Sequence, residues 1–311
     1  MASGSERQIT VGLSVSSFGA AGEEPLERLR AAGARVLPNP HGRKLTADEV
    51  VELLADADGT IAGTEPLDAA VLERLPNLRA ISRVGIGLDN VDLEAAERLG
   101  VRVFNTPDAV TDAAAELTVA GLLTLIRHVA FMDSELRAGR WTRQMGSLLR
   151  HKTVGIVGLG RIGRRVARLL SGFEPELLGY DPVADADHAS EAGVRLVPLD
   201  ELLAASHVVT LHATASATLV GKRELDLMRP GTLLVNVARG GLVDEDALHS
   251  ALANEQLGGA YLDVFAEEPY EGPLSELGNV VLTPHAGSFA REARALMETE
   301  AVENLLGFLQ Q

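Results

Sequence analysis

Candidate strands and helices alternate along nearly the whole chain and the alternation starts afresh at Thr153; no other feature restricts the fold so tightly. Strand-like runs at Ile9–Val15, Ala34–Leu37, Gly59–Ala62, Leu78–Ser82 and Val101–Phe104 come first. They are separated by Leu26–Ala32, Ala47–Ala55, Ala69–Leu75 and Leu93–Leu99, where apolar residues recur at helical spacing. Strands that alternate with helices in this way lie parallel, in a sheet covered by the connecting helices. One long helix is predicted over Thr111–Ala138, with Gly139 as its stop. Beyond Thr153, strands are expected at Glu176–Tyr180, His207–His212, Thr232–Val237, Gly259–Phe265 and Val280–Pro284, and an amphipathic helix over Phe289–Leu309. The prediction is two successive α/β units, which suits a length of 311 residues. A cleft between two such domains is the default place for a ligand.

Charge and composition remove several function classes. With 44 acidic residues against 28 Lys and Arg, the formal net charge of −16 argues against nucleic acid or an anionic membrane as partner. A small anionic ligand stays open, because it responds to local charge. With 0 cysteines there is no disulfide, no thiolate nucleophile and no Cys-ligated metal, and no metal site is expected. The opening MASGSERQ lacks the apolar core of a signal peptide. The apolar run from Leu117 stops at Arg127, about half of the ~20 residues a membrane span needs. A cytoplasmic protein is expected.

The run TVGIVGLGRIGRRVARLL places Gly158, Gly160 and Gly163 in G-x-G-x-x-G spacing, after a strand and at the opening of a helix. Asp181 ends the next strand, in LLGYDP. Alone the glycine spacing is weak, but in this context it specifies a dinucleotide site. Gly158 permits the tight turn, Gly160 lets the backbone approach a pyrophosphate, and Gly163 allows close helix–strand packing. The helix N-terminus faces the phosphates with free N–H groups. A carboxylate at Asp181 suits a ribose 2′-OH and repels a 2′-phosphate, so NAD is expected rather than NADP.

Three polar residues follow later strand candidates: Arg239 after LLVNVA, Glu268 after YLDVFAE and His285 after VVLTP. Carboxyl ends of strands are where open α/β sheets bind ligands. Each has a plainer reading, as a structural ion pair, a solvated loop carboxylate and a core histidine respectively. Beside a dinucleotide motif, the three together favour catalysis.

VGLGRIG, NVARGGLVDEDAL, YLDVFAEEP and LTPHAGS resemble the signatures of the NAD-dependent D-2-hydroxyacid dehydrogenase family. SRVGIGLDNVDLEAAERLGVRVFNTP and AAELTVAGLL match its 3-phosphoglycerate dehydrogenase-like branch, so the resemblance runs from about Ile9 to Leu309. It implies a Rossmann-type dinucleotide domain, residues 106–284, inserted into a flavodoxin-like substrate domain made of residues 1–105 and 285–311. Both would be doubly wound parallel sheets, hinged over the active site. His285 would then be the general acid, Glu268 would favour its protonated form, and Arg239 would grip the substrate carboxylate. Arg161, Ile162, His212, Ala213, Val237, Ala238 and Gly287 match positions lining the cofactor, and Asp263 matches a carboxylate that contacts the nicotinamide amide. The Gly85-Ile86-Gly87 turn, with Arg83 and Val84 before it, resembles the loop whose backbone N–H groups bind the substrate carboxylate.

The resemblance also implies a homodimer, with Asn105–Arg150 at the interface and the apolar face of Ala115–Ile126 and Trp141 buried in it. The first substrate expected is 3-phosphoglycerate; hydroxypyruvate, glyoxylate and a phosphonate analogue follow. The family's Arg-Ser pair after the third strand is absent, since that stretch reads Ile61-Ala62-Gly63-Thr64. Candidate replacements for gripping a phosphate are Arg43, Lys44, Arg83 and Arg143. A reading of another class is a non-enzymatic NAD-sensing regulator like the corepressors built on this fold.

Overall fold

TVGL and GTIA lack any apolar–polar alternation because the strands they form, β1 (Thr10–Leu13) and β3 (Gly59–Ala62), are buried along their whole length. The computed structural model describes residues 8–107, 109–183, 186–214 and 217–311. It divides into two compact units: the described residues up to Val110 together with Ser288–Gln311, and Thr111–Gly287. In the first unit, β1 and β3 lie among β2 (Arg35–Pro38), β4 (Ala80–Arg83) and β5 (Arg102–Phe104), all parallel, in the order β2-β1-β3-β4-β5. This is the flavodoxin-like order. The edge strands β2 and β5 begin with exposed Arg35 and Arg102, charges that blunt an open sheet edge. The helix Ala47–Leu54 starts at a capping box, with the Thr46 side chain on the Glu49 N–H and the Glu49 carboxylate on the Thr46 N–H.

The last helix, Arg291–Leu309, packs on this same sheet. A Cβ at Gly59 would sit 2.8 and 2.9 Å from the Cδ1 atoms of Leu305 and Leu309, so the strand glycine admits the helix. Near its start, Arg294 and Glu298 form a buried 2.8 Å ion pair. Ser17 Oγ accepts from Arg294, and Glu298 accepts from the Gly19 N–H, so neither charge is buried uncompensated.

The second unit carries seven parallel strands: β6 (Thr153–Val157), β7 (Glu176–Tyr180), β8 (Arg195–Leu196), β9 (Val208–Leu211), β10 (Thr232–Asn236), β11 (Leu257–Leu262) and β12 (Val280–Leu282). Their order, β12-β11-β10-β9-β6-β7-β8, reverses direction between β6 and β9. That reversal is the switch point of a Rossmann sheet, and it places ligand-binding loops at the carboxyl ends of β6 and its neighbours. The sequence reading omitted β8, whose two exposed residues carry no periodic signal.

One helix predicted over Thr111–Ala138 is instead two, Thr111–Ile126 and Val129–Arg137, bent by 64°. His128 adopts a left-handed conformation, φ 52°, at the break. The cause is tertiary: Ser147 N–H returns to cap the Ile126 carbonyl at 3.0 Å, which the next helical turn would otherwise have used. A second expectation is also corrected. The apolar face of Ala115–Ile126 is filled within the chain, since Ala115, Leu122, Leu125 and Ile126 join the core of this unit's own sheet. At Gly121 a Cβ would lie 2.0 Å from the Tyr261 ring, so this helix glycine makes room for the aromatic beneath it. No single helix among the described residues is long and apolar enough to cross a membrane.

Candidate active site

The glycine loop joins β6 to the helix Arg161–Ser171. Gly158 has φ +94°, and a Cβ there would come within 2.6–2.7 Å of the His212 and Ala213 backbone. At Gly163 a Cβ would strike the Gly158 carbonyl oxygen at 2.0 Å. A Cβ at Gly160 would meet no atom within 4 Å, and no side chain caps the helix start. Two glycines thus close the turn, while the third leaves room at uncapped amides, as a pyrophosphate requires. Arg161 and Ile162 open this helix, and NAD fits the cradle.

Asp181 follows β7 and reaches back to the loop. Its carboxylate accepts from the Leu159 N–H at 2.8 Å and the Val183 N–H at 2.9 Å. It therefore holds the loop as well as presenting charge where a ribose edge would lie. His212 and Ala213 form the wall behind Gly158. Burial pushes the His212 imidazole down to about 4, so it is neutral near pH 7, with Nε2 2.9 Å from Thr210 Oγ1.

Arg239 leaves the carboxyl end of β10 after Val237 and Ala238. The Asn236 side chain shapes this exit. Its Oδ1 accepts from the Ala238 N–H at 3.1 Å and its Nδ2 donates to the Arg239 carbonyl at 2.9 Å. Arg239 itself donates from Nη1 to the Ala238 carbonyl at 2.7 Å. Asn236 was absent from the candidate residues; the Asx-turn spacing in NVAR was the available signal.

His285 Nδ1 lies 2.8 Å from Glu268 Oε2, and Glu268 Oε1 accepts from the Phe265 N–H at 3.1 Å. A carboxylate only accepts, so Nδ1 carries the proton facing it and Nε2 is left for a substrate. The imidazole is 41% exposed, which leaves that nitrogen within reach. His285 has φ +51°, uncommon for a residue with a Cβ. Its N–H donates to the carbonyls of Asp263 and Thr283, at 2.8 and 3.1 Å.

Asp263 braces the same turn. It is 0% exposed and accepts from Thr283 Oγ1, the Ala286 N–H and the Gly287 N–H, and Thr283 in turn contacts the Tyr261 hydroxyl at 2.9 Å. Burial raises the Asp263 carboxyl against the lowering effect of these donors, and burial lifts the Tyr261 phenol to about 12. In this structure three protein donors engage the Asp263 carboxylate, and through them it holds the His285 loop. Thr283 was not among the candidates.

In the first unit, the Gly85–Gly87 turn is braced by two residues that were also missed. Thr106 Oγ1 accepts from the Gly85 N–H at 2.8 Å, and Asn105 Nδ2 donates to the Ile86 carbonyl at 2.8 Å. Gly85 has φ +135°, and the Arg83 guanidinium folds over it where a Cβ would stand, donating to the Val84 carbonyl at 2.8 Å. Val84 N–H belongs to the sheet, bonded to the Ala62 carbonyl. Of the amides expected to bind an anion, Gly85 is therefore engaged. Those of Ile86 and Gly87 meet no acceptor among the described residues. Arg43 is committed to Glu49 at 2.6 Å, Lys44 is exposed beside it, and Arg143 is exposed.

A Rossmann sheet with a pyrophosphate cradle and a paired His–Glu, with an arginine leaving the carboxyl end of β10, defines an NAD-linked oxidoreductase. Residues 119–287 match the model of the D-isomer specific 2-hydroxyacid dehydrogenase, NAD binding domain. The chain is 38% identical to the glyoxylate reductase of Korarchaeum cryptofilum over 83% of this chain and 82% of that one. It is 36% identical to the D-3-phosphoglycerate dehydrogenase of Archaeoglobus fulgidus, over 88% of this chain and 53% of the other. The TT0316 protein of Thermus thermophilus superimposes with a TM-score of 0.87 at 35% identity, over 97% of both chains. The chain belongs to the NAD-dependent D-2-hydroxyacid dehydrogenase family. It spans about half the length of the phosphoglycerate dehydrogenases it matches.

Proposed function

We propose that this enzyme reduces a small unphosphorylated 2-oxo acid, of the glyoxylate or hydroxypyruvate kind, to the D-2-hydroxy acid. The pairing of His285 Nδ1 with Glu268 at 2.8 Å carries the reading, because it leaves Nε2 free to move a proton. Bound NADH supplies the hydride to C2. His285 Nε2 gives a proton to the carbonyl oxygen as charge builds there, and Glu268 balances the imidazolium before transfer. Arg239 grips the carboxylate and polarises the carbonyl with its planar fork of donors. The Ile86 and Gly87 amides are available as donors to a carboxylate.

The unphosphorylated class is favoured by what surrounds the expected phosphate cations. Arg43 is held by Glu49, Arg83 by the Val84 carbonyl, and Ala62-Gly63 stand in place of the Arg-Ser pair. Glu65, nearly fully buried, accepts from the Gly63 N–H, so the backbone at this point is engaged within the protein. A second reading, a 3-phosphoglycerate-type substrate, rests on Arg143, which has no ion-pair partner among the described residues. The test is a panel of 2-oxo acids with NADH, followed by NADH absorbance. Glyoxylate or hydroxypyruvate should exceed phosphohydroxypyruvate at least ~10-fold in kcat/KM, the scale of one unsatisfied specificity contact. The opposite ranking moves the assignment to phosphorylated acids. No turnover with any acid favours the NAD-sensing regulator.

The reading includes a cytoplasmic homodimer. Trp141 is 84% exposed, and Met145 and Leu148 are exposed near it on one extended arm, Arg140–Arg150. Exposed apolar side chains gathered in this way mark an association surface. Light scattering at micromolar concentration should give twice the chain mass, and Trp141→Glu should shift it toward monomer. A wild-type monomer overturns the dimer.

A further inference from the structure

The amino ends of the second unit's strands, away from the glycine loop, hold a cavity of about 240 Å³. Lys152 precedes β6, His207 precedes β9 and Arg229 lies just ahead of β10, and all three line it with His128 and Ser147. No carboxylate is among the described residues that line it, in a chain whose formal charge is −16. Neither Lys152 nor Arg229 has a carboxylate partner among the described residues. Two cations without counter-ions in one concave site are unusual here, since most other surface arginines with a described contact are paired with Asp or Glu.

The hydrogen bonding of His207 adds an independent observation. Its Nδ1 accepts from the Thr153 N–H at 3.0 Å, so the single proton of the neutral ring sits on Nε2. That nitrogen lies 3.1 Å from Arg229 Nη1, which also carries only protons. Two donors therefore face one another. Protonating the ring does not relieve the contact, and burial with the nearby Arg229 and Lys152 charges lowers the His207 pKa. An oxygen that accepts from both, with negative charge near Lys152, relieves it.

We propose that this cavity binds a small polyvalent oxyanion bearing phosphate or several carboxylate groups, at a site separate from the glycine loop and the His285–Glu268 pair. The bound anion would join the end of the helix Thr111–Ile126 to the starts of β6, β9 and β10, because Leu125, Ile126 and His128 line the same cavity. Its expected effect is stabilisation of the fold by linkage, since only the folded chain assembles the site.

The test uses the full chain saturated with NADH, so that the pyrophosphate cradle is filled. Inorganic pyrophosphate and citrate are titrated separately by calorimetry at constant ionic strength. One ion per chain is expected, and the His207 imidazole signals should shift along the same titration in wild-type protein. Arg229→Gln and Lys152→Gln should each weaken binding by about tenfold, as loss of a charge-assisted hydrogen bond does. NADH affinity and kcat should stay unchanged in both. Binding of pyrophosphate alone identifies a phosphate-bearing ligand, and binding of citrate alone a polycarboxylate; either supports the site. Failure of both probes to bind or to move the His207 signals overturns it. Equal binding by wild type and both variants also overturns it, leaving an adventitious ion only.

Discussion

Replacing His285 by asparagine is expected to lower kcat for 2-oxo acid reduction by about 10²–10⁴-fold, the range that loss of a general acid produces. Asparagine is the informative choice because it tolerates the left-handed conformation that His285 holds at φ +51°. The loop braced by Asp263 then survives and only the chemistry is removed, so NADH affinity should stay within a few-fold. Arg239→Lys should lose activity comparably, because an ammonium lacks the two-pronged geometry a carboxylate and carbonyl need. Glu268→Gln keeps an acceptor for the Phe265 N–H but removes the charge beside His285. That variant should reduce 2-oxo acids more slowly than wild type while keeping its affinity for NADH, since the imidazole loses the carboxylate that faces Nδ1. A His285→Asn enzyme with kcat within tenfold of wild type would refute the assignment of the acid.

Cofactor choice is the second large effect. Wild type should prefer NADH over NADPH by more than about 10²-fold in kcat/KM, because a 2′-phosphate against the Asp181 carboxylate costs several kcal/mol and about 1.4 kcal/mol is tenfold. Asp181 also holds the Leu159 and Val183 N–H groups, so Asp181→Ala alone would confuse charge with loop geometry. Asp181→Asn separates them, since its carbonyl keeps one of these bonds while the charge is gone. The asparagine variant should lose most of the discrimination, chiefly by gaining NADPH activity. Wild-type enzyme equally active with NADPH would refute the role of Asp181.

Residues whose function follows from their own chemistry and immediate neighbours were legible in the chain. Gly158, Gly160 and Gly163 announce themselves by their spacing between a strand and a helix; a Cβ is excluded at Gly158 and Gly163, and Gly160 faces open space. Arg239, Glu268 and His285 stand out because charged or titratable groups just beyond strand ends have few structural uses there. The residues that hold these groups were not legible. Asn236, Thr283, Thr106 and Asn105 act through one or two hydrogen bonds to a backbone group, a side chain or an adjacent loop, and Asn, Thr and Ser do this everywhere in loops. Asp263 was legible as a carboxylate of the site, but not that three protein donors would engage it to brace the His285 loop.

The sequence by itself determined what depends on local periodicity and backbone geometry: the two sets of parallel strands and the dinucleotide turn. Only the tertiary structure decided what depends on which distant groups meet. The helix predicted to run through His128 breaks because Ser147 caps Ile126 from the returning chain. The apolar face of Ala115–Ile126 is filled by its own sheet, while Trp141 remains outside. Arg43 and Arg83 looked equally able to hold a phosphate until Glu49 and the Val84 carbonyl engaged them. Periodicity records how much of a residue is buried, but a burial pattern does not name the partner that buries it, and a free charge reads the same in sequence as a paired one.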